Sequence, residues 1–415
     1  MNDIIVGLDV GTTKVCVVVA TYDEQKKLNI LGIGKNPSEG LTRGVVTNID
    51  KTVVSIRKAV EMAEAQSGVK VKSVNVGIAG DHIQSFQSYG VITISNPGNE
   101  ITKKDVERLL EDTKKISLPM DRKIIHVIPV EFIADGQEGI FDPVGISGVR
   151  LEAKVHIVTG LVTAIQNVYK CVQRAGMEIN DIVLEPLASS YAVIDDEEKE
   201  VGIALLDIGG GTTDIAIFDE RTIHHTSILG LAGRKVTDDI RKGLGILGDQ
   251  AEKIKKQYGY CCASEILEDE SIIIPGIGGR KPIEITKSLL CQIIQPRMEE
   301  IFELCANDLK TSGFLKHLSA GIVLTGGGSL IKGVEKLAAE VIGLPVKLGI
   351  PTGFSGGLIK EIENPMYSTG VGLVLHELKS RDINNKNPFI EVEKVKTKLK
   401  IDGIINRVKG WFDEL

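Results

Sequence analysis

Two aspartates in this chain each stand two residues before a turn built from glycine and threonine. Asp9 lies in "IVGLDVGTTKVCVVV" (residues 5–19), and Asp207 lies in "LLDIGGGTTDIAIF" (residues 205–218). Gly11 and the run Gly209, Gly210, Gly211 permit backbone angles closed to other residues, so several N–H groups point outward from each turn. Together with the hydroxyls of Thr12, Thr13, Thr212 and Thr213, such N–H groups can cradle phosphate oxygens. A carboxylate at a strand end, Asp9 or Asp207, can hold Mg²⁺ through water, because Mg²⁺ keeps much of its hydration shell and takes few protein ligands. Lys14 adds a point charge for phosphates. Two such turns facing each other would grip a triphosphate from both sides.

The elements that must position these groups are legible on either side of them. Ile4, Ile5 and Val6 before the first turn, Val15 and Val17–Val19 after it, and Leu205, Leu206, Ile208, Ile215, Ile217 and Phe218 around the second have strand-forming side chains. Each segment therefore reads as strand, tight turn, strand. A single copy is matched by any hairpin with glycine in its turn; two copies with the same internal order, aspartate included, are not. A third glycine stretch, "AGIVLTGGGSLIKGVEKLAAEVI" (320–342), reads as a strand, then Gly326, Gly327 and Gly328, then an amphipathic helix with Leu330, Val334, Leu337 and Val341 on one face. A helix N-terminus opened by glycines is a natural nucleotide contact. The run "GLGILG" (243–248) fits G-x-G-x-x-G but follows the helix-like "VTDDIRK", the wrong context for a dinucleotide fingerprint, and no G-x-x-x-x-G-K-[ST] occurs.

With 415 residues, 42% of them hydrophobic and 25% charged, the chain is long enough for two or more packed domains. A net charge of −7 and no long Lys/Arg block leave no basic field to recruit nucleic acid. The six cysteines lack paired C-x-x-C spacing and read as buried thiols, not as a zinc or disulfide frame. The chain opens without the n-region, h-region and cleavage site of a secretory signal, so an intracellular protein is expected. No apolar stretch reaches the roughly 20 residues that span a bilayer, which leaves peripheral membrane contact.

The C-terminal end offers such a contact. Residues 379–396 are polar and read as a tether. In residues 397–415, Ile401, Ile404, Ile405, Val408, Phe412 and Leu415 recur at helical spacing, Trp411 borders the stripe, and Lys398, Lys400, Arg407 and Lys409 supply positive charge. Gly403 and Gly410 each cost about 1 kcal/mol of helix propensity. Burial of several large apolar side chains at a lipid interface, about 1.5–3 kcal/mol each when complete, more than offsets that. Folding of this helix is expected to accompany its insertion into the membrane surface.

The two hairpins and the 320–342 stretch, together with "LEPLASSYAVI" (184–194) and "YSTGVGLVLH" (367–376), resemble the phosphate, adenosine and connecting motifs of the actin, Hsp70 and sugar-kinase superfamily. The resemblance implies an α/β, actin-like two-lobed ATPase fold closing over ATP and Mg²⁺. It makes Asp9 and Asp207 the metal-water aspartates, has Glu185 order the attacking water, and groups Glu185 with Asp207 and Asp214 as catalytic. It adds Gly233 and Arg234 to the nucleotide contacts and, through "AEKIKKQYG" (251–259), sets Glu252 against the ribose and Lys255 against the base.

Between the first hairpin and "LEPLASS", the segment from residue 84 onward reads as an inserted α+β module. Thr102 and Asp105 cap a helix in it whose apolar side carries Val106, Leu109 and Leu110. The strings "IFDPVGISGVRLEAKVHIVTG" (140–160) and "GIGGRKPIEITKSLLCQIIQPRMEEIF" (276–302) look like the FtsA family of bacterial cell-division actin homologues. That likeness implies a first lobe of residues 1–82, 163–196 and 350–378 with the module at 83–162. It further implies a second lobe with an inner subdomain of 197–233 and 308–349 and an outer one of 234–307, then the linker 379–396 and the amphipathic helix 397–415. It also implies slow ATP turnover, self-association, and docking of the C-terminal peptide of the tubulin-like FtsZ on the outer subdomain. Other division proteins would meet the inserted module, at the cytoplasmic face of the membrane at the division site. Competing readings are a small-molecule kinase, which lacks a tethered amphipathic terminus, a pilus-assembly scaffold with the same module, and an Hsp70-like chaperone, for which too little chain follows residue 376.

Overall fold

The computed structural model describes residues 4–95, 98–276, 278–279 and 281–386, the side chains of 382–386 excepted. The chain opens with an antiparallel meander, β1 (Ile5–Val10), β2 (Lys14–Tyr22) and β3 (Leu28–Pro37), followed by the small pair β4 (Leu41–Thr42) and β5 (Val45–Val46). Helix α1 (Ile49–Ser67) begins at Asn48, whose side chain accepts from the Lys51 N–H, and ends at Gly68 in the left-handed conformation. It leads into β6 (Ser73–Ile78), which lies parallel to β1. Burial of β1 and most of β2 on both faces explains their near-continuous aliphatic sequence.

The inserted module follows as β7 (Gln84–Thr93), α2 (Lys103–Thr113), β8 (Arg122–Ala134), β9 (Gln137–Ile140) and β10 (Arg150–Leu161), a sheet of order β7-β10-β8-β9. Helix α2 carries the expected capping box between Thr102 and Asp105 and buries Leu109 completely. A Cβ at Gly90 would come within 3.0 Å of Leu109, so the glycine lets the helix lie close on β7. The module has its own core, which includes Ile101, Phe132, Leu151 and Val155.

The first lobe resumes with α3 (Val162–Arg174), β11 (Glu178–Leu184), α4 (Glu185–Val193) and the short α5 (Asp196–Val201). A second antiparallel meander then repeats the first: β12 (Ile203–Ile208), β13 (Thr213–Asp219) and β14 (Thr222–Leu229). It is followed by α6 (Gly233–Leu244), α7 (Gly248–Tyr258), the hairpin β15 (Ser271–Ile274) and β16 (Ile283–Thr286), and the long α8 (Lys287–Thr311). Strand β17 (Ile322–Thr325) lies parallel to β12, as β6 does to β1, and α9 (Val334–Ile342) and β18 (Val346–Leu348) complete the second sheet in the order β14-β13-β12-β17-β18. The chain then returns to the first lobe with β19 (Phe354–Gly357), α10 (Ile359–Ile362) and α11 (Ser368–Lys386), giving a first sheet of order β11-β6-β1-β2-β3-β19.

Two expectations change. Helix α11 runs through Lys386, so residues 379–386 are helix and not tether; they continue a helix whose earlier turns bury Val371, Val374 and Leu378. The helix after the third glycine run starts at Val334, because Gly327–Leu330 forms a 3₁₀ turn that leaves Leu330 41% exposed. The run at 243–248 joins two helices, with Gly245 as the left-handed cap of α6.

Candidate functional site

Strand pairing makes the two turns equivalent residue by residue. Val10 pairs with Val15 and Ile208 with Thr213, so each turn spans four positions, 11–14 and 209–212. Each is closed by the same bond: the Gly11 N–H donates to the Lys14 carbonyl at 3.0 Å, and the Gly209 N–H donates to the Thr212 carbonyl at 2.9 Å. The tips meet reciprocally across the lobes. A Cβ on Gly210 would lie 2.3 Å from Thr13, and one on Gly211 would lie 2.5 Å from the Thr12 hydroxyl. Side chains at 210 and 211 would hold the lobes apart, which is the local reason for glycine at both.

Four carboxylates gather beneath the turns. Asp9 is 5% exposed and lies 3.1 Å from Lys14 Nζ, which also donates to the Met366 carbonyl and sits 5.6 Å over the Tyr367 ring. Asp207 accepts from Ser189 Oγ at 2.8 Å and from Thr369 Oγ1 at 3.4 Å, the two hydroxyls lying 3.1 Å apart. Asp214 pairs with Asp207 across the hairpin, and its buried Oδ1 has no hydrogen-bond partner. Glu185, the first residue of α4, packs so closely on β6 that a Cβ at Gly77 would fall 2.9 Å from its Cγ.

The electrostatics follow from this crowding. Burial, opposed by the Ser189 hydrogen bond and reinforced by Asp9, pushes Asp207 up to about 6. Burial and then the neighbouring carboxylates, Asp9 foremost for Glu185 and Asp207 for Asp214, hold both well above the usual carboxylate range. Burial alone would lower the Lys14 amine, but Asp9, joined by Cys16 and Asp207, outweighs it and raises that group. Lys14 against these crowded carboxylates, with an orphaned oxygen among them, leaves a site that fits a further positive charge. Among the described residues no three His, Cys, Asp or Glu side chains converge closely enough to ligate an ion directly. The donor set therefore suits an ion held through its own water.

The remaining residues named from the sequence divide into two groups. Gly233 and Arg234 open α6 against the second turn, their N–H groups donating to the carbonyls of Gly209 (3.2 Å) and Gly210 (2.8 Å). Gly326, at φ 83°, lies against Asp207: a Cβ there would be 2.3 Å from Oδ1, and one on Gly328 would strike Ile208, whereas Gly327 faces open space. Thr213 lies apart from the turn surface, fully buried, with its hydroxyl donated to the Leu231 carbonyl at 2.8 Å. Thr12 accepts from the Gly44 N–H at 3.0 Å, and Thr212 lies 3.5 Å from Asp214. Lys255 is buried between α6 and α7, donating to the Gly233 carbonyl (3.0 Å), Thr237 (2.8 Å) and Glu252 (2.7 Å). Its charge thus fixes the start of α6.

Ser189, Thr369 and Tyr367 were not singled out from the sequence as parts of the site. Ser189 stands in the 184–194 motif, and Tyr367 and Thr369 in the 367–376 motif, so the signal was the quoted strings themselves. Residues 387–415, which carry the proposed membrane-facing positions from Lys398 to Leu415, lie outside the described residues. Among the described residues, no helix is long and apolar enough to cross a membrane.

Comparison with known proteins agrees with this architecture. The family model described as "Cell division protein FtsA" matches residues 204–372, and the model "SHS2 domain inserted in FTSA" matches residues 80–159, which hold the inserted sheet and α2. The chain is 44% identical over 377 residues to the cell division protein FtsA of Pseudomonas aeruginosa, covering 91% of this chain and 90% of that protein. It is 42% identical to that of Neisseria meningitidis (98% and 97% covered) and 36% identical to that of Escherichia coli K12 (98% and 97%). Among solved structures it is similar to a PilM-PilN type IV pilus biogenesis complex (TM-score 0.66, 16% identity, 90% of this chain and 98% of that chain). MreB5 of Spiroplasma citri bound to ADP is also similar (TM-score 0.57, 17% identity, 92% and 98%). These structural likenesses establish the actin-like fold. Reciprocal turns on repeated meanders, the inserted module and full-length relatedness lead to one conclusion: the chain belongs to the FtsA family of cell division proteins.

Proposed function

We propose that this cell-division protein binds ATP with Mg²⁺ along the seam where its two turns meet, and that nucleotide state governs its self-association. The reading is carried by the reciprocal contact of Gly210 with Thr13 and Gly211 with Thr12 above a carboxylate cluster short of positive charge. Solved MreB5 structures titled as bound to ADP and to AMPPNP support nucleotide as the ligand of this fold. The outward N–H groups of the turns and Lys14 would bind phosphate oxygens, and Asp9 and Asp207 would hold the water shell of the ion. Bound Mg²⁺ would supply charge neutralisation at the phosphates. Ser189 and Thr369 orient Asp207. Glu185, at the start of α4, would orient the attacking water, with Asp214 beside it, in a slow hydrolysis for which no other acceptor is provided.

The same protein would tether the division polymer to the membrane. The C-terminal peptide of FtsZ would dock on residues 234–307, and the segment 397–415 would lie in the inner face of the cytoplasmic membrane at the division site, with other division proteins meeting the inserted module. Filament-like assembly is supported by the fold's likeness to a structure titled "MamK double helical filament" (TM-score 0.50, 14% identity). Calorimetry tests the nucleotide reading. Asp207→Ala is expected to weaken Mg-ATP at least tenfold, a loss of about 1.4 kcal/mol or more, and an unchanged affinity would contradict it.

A further inference from the structure

The inserted module belongs to the first lobe by chain connection, yet it also grips the second. Strands β7 and β14 are the outermost strands of their sheets, and β14 packs against β7, β8 and β10 of the module. Ser85 Oγ donates to the Thr226 carbonyl at 2.8 Å, Gln87 Nε2 donates to the His224 carbonyl at 3.4 Å, and His156 Nε2 lies 3.0 Å from Thr226 Oγ1. Gln87 and His156 are register partners on β7 and β10, so the three module side chains share one face. His156 and Thr226 are both buried, and they would meet water if the lobes parted. Among the described residues no ladder joins β7 to β14, so this contact can break without unravelling either sheet.

The elements on either side of the contact are themselves tied down. At the neck of the module, Arg122 donates to the His82 carbonyl at 2.8 Å on the entering segment and to the Thr159 carbonyl and hydroxyl, both at 3.2 Å, on the leaving strand. The Thr159 hydroxyl in turn donates to the Gln84 carbonyl at 3.2 Å. The alternate side chains of β14 are held from the other direction: Asp308 of α8 accepts from Ser227 Oγ at 2.7 Å and lies 2.9 Å from His225 Nε2. Module and β14 are each fixed to their own lobe, so separation of the lobes falls on the contact between them. That contact lies close to the second turn in the chain. Ile228 pairs with Asp214, and β14 ends at Leu229, four residues before Gly233, whose N–H donates to the Gly209 carbonyl.

We propose that the inserted module is a strap across the seam, which must release β14 before the lobes can part, so that its hold on β14 and a nucleotide's hold on both turns favour the same closed state. The nucleotide half rests on the reading above. Affinity for a ligand that needs the closed state scales with the closed fraction, and by linkage the nucleotide strengthens the strap by the same factor. Anything that pulls the module from β14 then weakens nucleotide binding without touching the turns.

The test measures lobe separation in the full-length protein by double electron–electron resonance. Spin labels are placed at Glu61→Cys on α1 and Lys242→Cys on α6, both exposed positions, the six native cysteines being buried. Without nucleotide the parent is expected to give one narrow distance. Ser85→Ala combined with Thr226→Val removes two of the three contacts with little change of shape. It is expected to add a longer-distance population and to weaken binding of AMPPNP with Mg²⁺ roughly fivefold, with saturating AMPPNP restoring the short distance. Arg122→Met, which loosens the neck and keeps the contact, is expected to do the same. Circular dichroism identifies a variant that misfolds, and the other variant then decides. Distances and affinities equal to the parent's overturn the strap, and a longer distance with unchanged affinity overturns its coupling to nucleotide. If AMPPNP binds none of the proteins, the nucleotide reading fails, and the distances recorded without nucleotide still decide the strap.

Discussion

Asp207 touches Ser189, which lies 18 residues before it, and Thr369, which lies 162 residues after it. Its own place beside a glycine turn is written locally and was legible in the sequence. The hydroxyls that hold it belong to two other helices, and nothing in either local pattern marks them as partners. Lys255 shows the converse. The resemblance implies a base contact for it, and in the folded chain its amine donates to Gly233, Thr237 and Glu252, the first two of them outside its local pattern. That cluster gives a pH prediction. Burial works to raise Glu252, but Lys255 and the hydrogen bonds of Thr237 and Lys256 outweigh it and hold the carboxyl down to about 2, against an ordinary value of 4.5. A depressed carboxyl contributes stability that is present in full above its unfolded pKa and is lost as pH falls through its folded one. The stability advantage of the parent over Glu252→Gln, measured by urea unfolding, is therefore expected to be constant above pH 5 and to shrink as pH falls from about 4.5 towards 2.

At the scale of elements, glycine decides how closely helices approach the sheets and each other. Helix α11 crosses α4 at Gly372, where a Cβ would lie 1.9 Å from the Ala188 carbonyl oxygen, and it crosses β1 at Gly7, where a Cβ would lie 2.5 Å from the Gly370 carbonyl oxygen. Both obstacles are backbone and cannot swing aside. Gly372→Ala is expected to destabilise the protein by about 1–3 kcal/mol, seen as a lower urea midpoint, because overpacking there must move a whole helix. The sequence made the hairpins, α2 with its cap and α9 visible, since propensity, capping and periodicity agree in each. It misplaced the start of α9 because glycine followed by an apolar residue fits both a 3₁₀ turn and a first helical turn. It ended α11 too early because a polar stretch reads alike as tether or as helix.

Across the whole molecule, the two lobes share apolar packing at the point where they join. Leu205 and Val323 of the second sheet cluster with Ala188 of α4 and Val371 of α11, so the connecting helices are continuous with both cores. The meeting of the turns is thus a property of the assembled lobes and not of either hairpin, which is why the sequence could suggest the grip but not its register. The proposed membrane tether acts on the same scale. Co-sedimentation with liposomes containing anionic lipid is expected to fall to background when the chain is truncated after Lys396, and equal pelleting of the truncated and full chains would exclude an anchor in 397–415.

Whether the paired turns clasp one nucleotide is decided by a crystal or cryo-EM structure of the protein with AMPPNP and Mg²⁺. Phosphate density is expected to contact residues 11–14 and 209–212 together, with an ion whose water shell reaches Asp9 and Asp207. Nucleotide bound away from the seam, or turns drawn apart with nothing between them, would contradict it.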